Sequence, residues 1–174
     1  MGLFGFLKDK GKGQAAPAPA AAVHTPQTLG APSKGTFDAM EQIPGEVFST
    51  GVLGTCCGID PEESKVYAPA DGKISQLTDT LHAVGLDAGG VQILIHVGVD
   101  TVEMNGVGFA NTVKLGDTVK RGDLLLTMDL DKIRSAGHPT TVIMAVTNTD
   151  ELNGVELIGE GAVQPGDDVV RISL

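Results

Sequence analysis

Two histidines, His82 and His96, are the side chains of this sequence best suited to do chemistry. They stand 14 residues apart. His82 opens one apolar run, Ala83 to Leu86, and His96 lies near the end of a second, Val91 to Val97. The intervening Asp87-Ala-Gly89-Gly90 is a hairpin signal. Antiparallel pairing of the two runs brings the histidines to the same end of the hairpin, on strands roughly 5 Å apart. Imidazole, with an ordinary pKa near 6.5, is a good nucleophile at neutral pH and can attack phosphorus to form a phosphoramidate. A second imidazole beside it can donate a hydrogen bond to the phosphoryl oxygens. Gly98 leaves room for the reacting residue of a partner. Spacing alone also fits two histidines that merely finish their strands. The other two, His24 in an Ala/Pro-rich stretch and His138 before Pro139, read as idle. No Walker A loop or kinase signature is present, so the chain shows no ATP site and any phosphoryl group must come from another protein.

The elements that must position this pair are short strands. In the second run Val91, Ile93 and Ile95 alternate with Gln92, Leu94 and His96. A period of two therefore puts His96 on the face opposite Ile93 and Ile95. Further strands are expected at Val66 to Ala68, Gly72 to Leu77, Leu124 to Met128, Thr141 to Thr147 and Val169 to Ile172, punctuated by Gly-Asp turns. One short helix is expected around Asp131 to Ala136, ended by Gly137 and stopped before Pro139. The expected fold is all-β: a compact β-sandwich or distorted barrel with one or two short helices.

Composition and charge narrow the function. The chain has 174 residues, with 41% hydrophobic but only 3% aromatic, so its core must rest on Val, Ile, Leu and Ala. Residues 1–34 carry four lysines against one acid, while the remainder carries 21 acids against 8 bases. So acidic a domain is a poor nucleic-acid binder and is steered towards basic protein surfaces. Cys56 and Cys57 are adjacent, a geometry that strains a mutual bridge, and read as small buried residues with reduced thiols. No segment reaches the roughly 18 apolar residues that span a bilayer. Leu3, Phe4, Phe6 and Leu7, followed by Lys8, Lys10 and Lys12, fit a short amphipathic contact with an anionic membrane surface over residues 1–12. Residues 13–36, rich in Ala and Pro, read as a linker, and 37–174 as the globular domain.

Several stretches, in order, resemble one family. Leu94-Ile-His96-Val-Gly98-Val-Asp100-Thr101-Val102 is similar to the active-site signature of the glucose-family enzyme IIA domains of the bacterial phosphoenolpyruvate-dependent sugar phosphotransferase system. Val66-Tyr-Ala-Pro69-Ala-Asp71-Gly72, His82-Ala-Val-Gly85-Leu86, Asn105-Gly106-Val-Gly108-Phe109 and Gly122-Asp123-Leu-Leu-Leu126 resemble further family motifs. The likeness runs from about Val47 to the C-terminus, and the Leu-Phe-Lys opening resembles the membrane-touching tail of stand-alone members. It implies a β-sandwich phosphocarrier working in the cytoplasm or at the inner face of the membrane. The histidine at the position of His96 is then phosphorylated by the phosphocarrier protein HPr and discharged to a cysteine of enzyme IIB, part of the IIB/IIC sugar permease. The histidine at the position of His82 stabilises the phosphoryl group, and Thr80 hydrogen-bonds its ring. The resemblance also implies an interface in which Gly98 and Asp100 meet basic partner residues and Val47, Phe48, Val52, Leu53, Val97, Val99 and Val102 form an apolar ring. It implies no metal and no organic cofactor, and leaves room for regulatory target proteins. Gly45-Glu46, Gly54-Thr55-Cys56 and Ala70 depart from the common pattern; none touches either histidine.

Rival chemistries have weaker anchors. The run from Gly122 to Lys132 echoes the hairpin of lipoyl and biotinyl domains, which would make Lys132 the modified residue of a swinging-arm carrier, but Ile133 to Gly137 reads as helix where those domains continue in strand. A related zinc peptidase fold needs three ligands including a His-x-His pair, which this sequence lacks.

Overall fold

A computed structural model describes residues 24–174. The strands in chain order are β1 (Thr28–Gly30), β2 (Gly35–Asp38), β3 (Thr55–Pro61), β4 (Lys65–Tyr67), β5 (Gly72–Leu77), β6 (Ala83–Ala88), β7 (Val91–Val97), β8 (Phe109–Asn111), β9 (Thr118–Val119), β10 (Leu124–Met128), β11 (Val142–Val146), β12 (Gly154–Leu157), β13 (Ala162–Val163) and β14 (Asp168–Ser173). Two short α-helices, α1 (Glu46–Ser49) and α2 (Leu130–Ser135), interrupt them. An eight-stranded sheet has the order β9-β5-β6-β7-β11-β3-β2-β13, and two three-stranded sheets have the orders β4-β10-β8 and β12-β14-β1. All pairings are antiparallel. The expected all-β sandwich with short helices is what forms.

The main core lies between the sheets. It draws Val84 and Leu86 from β6, Val91, Ile93, Ile95 and Val97 from β7, Leu125 and Leu126 from β10, and Val169 from β14. Along β7 these buried residues alternate with the partly exposed Gln92, Leu94 and His96, as the period of two requires. The β6–β7 hairpin closes through Gly89 and Gly90, both at positive φ (62° and 97°), a conformation that favours glycine at both turn positions. By contrast β11 is buried on both faces, and its unbroken Val-Ile-Met-Ala-Val run reflects this.

The second face of the central strands is covered locally. Ile43, Phe48, Cys56, Ile143 and Ala145 form a small second core, flanked by Met40, Leu53, Leu94 and Val99. The segment around α1 thus lies over the outer surfaces of β3, β11 and β7, beside His96. The adjacent cysteines point to opposite sides, Cys56 into this small core and Cys57 into the main one. Both thiols are free, and burial pushes them up to about 11 and about 12 respectively, so both stay protonated at neutral pH.

The expected linker over residues 13–36 needs correction at its C-terminal end. Its Ala, Pro and Ser residues suggest loose chain, yet β1 and β2 lie inside this range. Leu29 and Ala31 are fully buried, and β1 pairs with β14 near the C-terminus. Arg121 clamps the junction: its guanidinium donates to Thr28 Oγ1 (3.1 Å) and to the Gly166 carbonyl (2.7 Å), and pairs with Asp168 (2.6 Å). The Ser33 hydroxyl, fully buried, donates to the Lys65 carbonyl. Long-range partners from mid-chain and from near the C-terminus hold this stretch in the fold, information that local composition does not contain. The expected membrane-touching segment and the first part of the linker, to residue 23, lie outside the described residues.

The expected helix near Asp131 is α2, capped by the Asp129 carboxylate accepting from the Lys132 N–H. Lys132 therefore sits on a helix rather than at the hairpin position of a swinging-arm lysine. No described helix is long and apolar enough to cross a membrane.

If the folded unit begins at β1, Leu29→Ala leaves a cavity and lowers stability by about 2–5 kcal/mol. Urea unfolding of the full chain measures this. A loss of only about 0.5 kcal/mol, typical of an exposed site, would return Leu29 to the linker.

Candidate functional site

The site is built at the open end of the β6–β7 hairpin. Ala83 on β6 lies directly across from His96 on β7, and the Val97 N–H donates to the His82 carbonyl at 2.8 Å. This register puts the two imidazoles edge to face, with centroids 4.8 Å apart and planes at 81°. His82 is buried (6% exposed) and His96 is partly exposed. The more accessible ring is thus the downstream one. Across β11, Ile143 is the cross-strand neighbour of His96, and on its other side Phe48 from α1 packs at 5.0 Å between ring centroids.

Each imidazole is oriented by its Nδ1. His96 Nδ1 lies 2.8 Å from the Gly98 carbonyl oxygen. A carbonyl only accepts, so Nδ1 carries the proton and Nε2 keeps its lone pair. His82 Nδ1 lies 2.7 Å from Thr80 Oγ1, a hydroxyl that can serve either tautomer. Burial, and then the neighbouring His82, push the His96 pKa down to about 4, while the Gly98 carbonyl and Asp100 pull it back up. Burial also lowers His82, opposed in part by the Thr80 backbone. Both rings are therefore neutral at pH 7.

Turns with left-handed backbone hold these groups. Gly98 (φ 75°) and Asp100 (φ 61°) shape the turn after β7, and Leu81 (φ 63°) lies between Thr80 and His82. A left-handed leucine is uncommon. The Leu81 N–H donates to the Thr78 carbonyl, and the Thr78 hydroxyl accepts from the Ala83 N–H, closing this loop on the hairpin.

The surface around the rings is apolar with acids at hand. Val47, Val52 and Val102 are exposed at 52%, 76% and 51%. Leu53 and Val99 are half-buried and pack on the small core, and Asp100, Glu46 and Glu103 are exposed. Two residues expected in the apolar ring are placed differently. Phe48 is buried and serves as the wall beside His96. Val97 is fully buried in the main core, because the alternation that presents His96 outward turns its neighbour inward. Gly98 is buried and contributes backbone. The roles of Ile143 and Leu81 have no local signature in the sequence; the first depends on a strand 47 positions downstream.

Two open grooves of about 570 and 530 Å³ flank α2, one lined by residues including Phe109, Thr127 and Arg134, the other by Met104, Val107 and Lys132. Neither holds His82 or His96. Among the described residues no group of three or more His, Cys, Asp or Glu side chains converges as a metal site.

Comparison with known proteins agrees with this geometry. Residues 27–152 match the family model described as phosphoenolpyruvate-dependent sugar phosphotransferase system, EIIA 1. The chain is 38% identical over 169 residues to the beta-glucoside-specific EIIBCA component of Dickeya chrysanthemi, covering 92% of this chain but 27% of that relative. It is 38% identical over 150 residues to the glucose-specific EIIA component of Bacillus cereus, covering 85% of this chain and 91% of the relative. The glucose permease IIA structure from Mycoplasma capricolum superposes with a TM-score of 0.75 at 32% identity, over 82% of this chain and 93% of the other. A paired-histidine face on this sandwich, together with those likenesses, makes the chain a member of the EIIA 1 family of the phosphoenolpyruvate-dependent sugar phosphotransferase system.

Proposed function

We propose that this chain carries a phosphoryl group on His96 Nε2, taken from phospho-HPr and passed to a cysteine of an enzyme IIB. The observation that carries the reading is the ring pair: a neutral, partly exposed His96 whose Nδ1–H is committed to Gly98, with His82 at 4.8 Å. In the first step the Nε2 lone pair attacks phosphorus in line. The N–P bond of the donor breaks as the new one forms, and its electron pair returns to the donor imidazole. In the second step a partner thiolate attacks phosphorus, an S–P bond forms as the Nε2–P bond breaks, and the electron pair of that bond returns to Nε2, leaving His96 as neutral imidazole. The catalysis required is positioning and charge stabilisation. With the Thr80 hydroxyl donating to Nδ1, His82 holds its proton on Nε2 and can donate it to a phosphoryl oxygen. The apolar surround keeps that contact dry and therefore strong.

The partners follow from the same surface. Val47, Val52 and Val102 offer apolar contact, and Asp100 meets a basic donor or acceptor. The EIIBCA relative joins EIIA with EIIB and EIIC in its name, which supports a IIB/IIC permease as the acceptor. The described chain starts near the β6–β7 turn, where the Thr25 hydroxyl donates to the Gly89 carbonyl, at the far end of the hairpin from the rings. An N-terminal contact with an anionic membrane surface would thus leave His96 free for its partners in the cytoplasm. The same face also suits regulatory target proteins.

Incubation with phosphoenolpyruvate, enzyme I and HPr tests the reading. Wild type takes up acid-labile label and His96→Gln takes none. His82→Gln accepts label but passes it on more slowly, by roughly a hundredfold. Label retained by His96→Gln overturns the assignment.

The depressed pKa of His96 sets a pH signature. Since the folded value lies below the ordinary 6.5, the ring is neutral above it, and the stability it contributes is lost as pH falls from 6.5 through about 4. Long-range ¹H–¹⁵N spectra should show His96 neutral, protonated on Nδ1, from pH 8 down to about 5. A midpoint near 6.5 contradicts this.

Val102→Asp replaces an apolar contact of the ring with a charge and should raise the KM for phospho-HPr by roughly tenfold or more, with His96 still phosphorylated at saturation. An unchanged KM removes Val102 from the interface.

A further inference from the structure

Within the phosphocarrier reading, on which this inference rests, the orientation of His96 has a support that lies beneath the surface. Its Nδ1–H is held by the Gly98 carbonyl, so the direction of Nε2 is only as well defined as that carbonyl. Gly98 is confined on both sides. Its N–H donates to the Thr141 carbonyl at 2.7 Å. At its Cα there is no room for a side chain: a Cβ would fall 2.5 Å from Thr101 Cγ2 and 2.7 Å from the Pro139 carbonyl oxygen. Beyond it the chain passes through a left-handed Asp100 and enters a 3₁₀ turn, Thr101–Met104.

Thr101 closes this turn. It is fully buried (0% exposed), and its hydroxyl donates back to the Val97 carbonyl, four residues upstream. The hydroxyl of this side chain thus holds the Val97 carbonyl while its methyl packs against the Cα of Gly98, the two groups immediately before the Gly98 carbonyl. The Thr101 hydroxyl bonds to backbone and to neither imidazole and, being buried, cannot touch a partner. A buried hydroxyl must be paired wherever it occurs, but here the pairing spans the four residues that determine how His96 is held.

The geometry points to Thr101 as a positioning residue for phosphoryl transfer: it locks the Val97–Asp100 turn so that the Gly98 carbonyl keeps the His96 proton on Nδ1 and Nε2 aimed at the incoming phosphorus. A lone buried threonine with a merely structural role would affect stability and leave the ring's tautomer alone.

The experiment compares the full chain as wild type, Thr101→Val and Thr101→Ser. Valine keeps the shape and removes the hydroxyl; serine keeps the hydroxyl. Long-range ¹H–¹⁵N spectra at pH 7 report which nitrogen of His96 is protonated, and steady-state transfer from phospho-HPr gives kcat and KM. The expected result for Thr101→Val is a mixture of His96 tautomers and a kcat lower by roughly 10- to 100-fold, the scale of a reacting group displaced by about 1 Å. KM should stay within about twofold, since docking contacts are untouched. Thr101→Ser should restore both the single tautomer and kcat. A Thr101→Val protein with one Nδ1–H tautomer and wild-type kcat overturns the proposal, as does a Thr101→Ser protein as impaired as the valine variant. Should Thr101→Val not fold, Thr101→Cys replaces it, with a kcat lower by about threefold or more; unchanged kcat and tautomer there are equally fatal. If wild type itself takes no phosphoryl group from phospho-HPr, the carrier reading fails instead, and the tautomer spectra still decide the positioning role.

Discussion

The pairing of β6 with β7 in one register is the constraint from which the rest of the site follows. Ala83 opposite His96, with the Val97 N–H on the His82 carbonyl, brings two imidazoles to 4.8 Å. A slip of one residue would turn His96 into the main core and Val97 outward, because strand side chains alternate. Burial of Ile93, Ile95 and Val97 against the other sheets makes such a slip costly. The hydrophobic core therefore does more than hold the sandwich together, since it specifies which face of β7 carries His96.

Once the rings are adjacent and half-dry, electrostatics selects their state. Charge on either imidazole is opposed by desolvation, and charge on His96 also by its neighbour. The neutral ring is the form with a free lone pair, so the environment that costs the protein a solvated imidazolium also prepares a nucleophile. The Gly98 carbonyl and the Thr80 hydroxyl then complete one Nδ1 each, leaving both Nε2 atoms as the uncommitted ones. Backbone strain gathers here too: Leu81 and Asp100, two of the non-glycine residues at positive φ, flank the pair. Such conformations cost of order 1–3 kcal/mol each and persist only where the surrounding fold over-determines them.

The outer face shows how one surface serves packing and recognition. The α1 segment covers part of it with Phe48 and Leu53 on the small core, while Val47 and Val52 of the same segment remain outside. A covered patch beside an uncovered one gives His96 an aromatic wall and leaves apolar surface exposed next to it. The acids nearby fit the strongly negative balance of the folded region, which favours approach by basic proteins.

Much of this was legible in the residues alone. The alternation of Val91, Ile93 and Ile95 with His96, the paired glycines at 89 and 90, and the Gly137 stop after α2 are local signals, because strand period, hairpin turns and helix ends are determined within a few residues. They sufficed to bring His82 to His96. What local signals could not decide was anything set by strands distant in the chain. Residues 28–36 look like linker until β14 and Arg121 are brought to them. Phe48 looks like surface until Cys56, Ile143 and His96 are brought against it. Ile143 and Thr101 have ordinary identities, and only the folded turn and the neighbouring strand make them the floor and the brace of the site. Sequence determined the chemistry available and the strands that present it; tertiary packing decided which neighbours are dry, which are exposed and where each ring points, because burial is a property of the whole chain and not of any stretch of it.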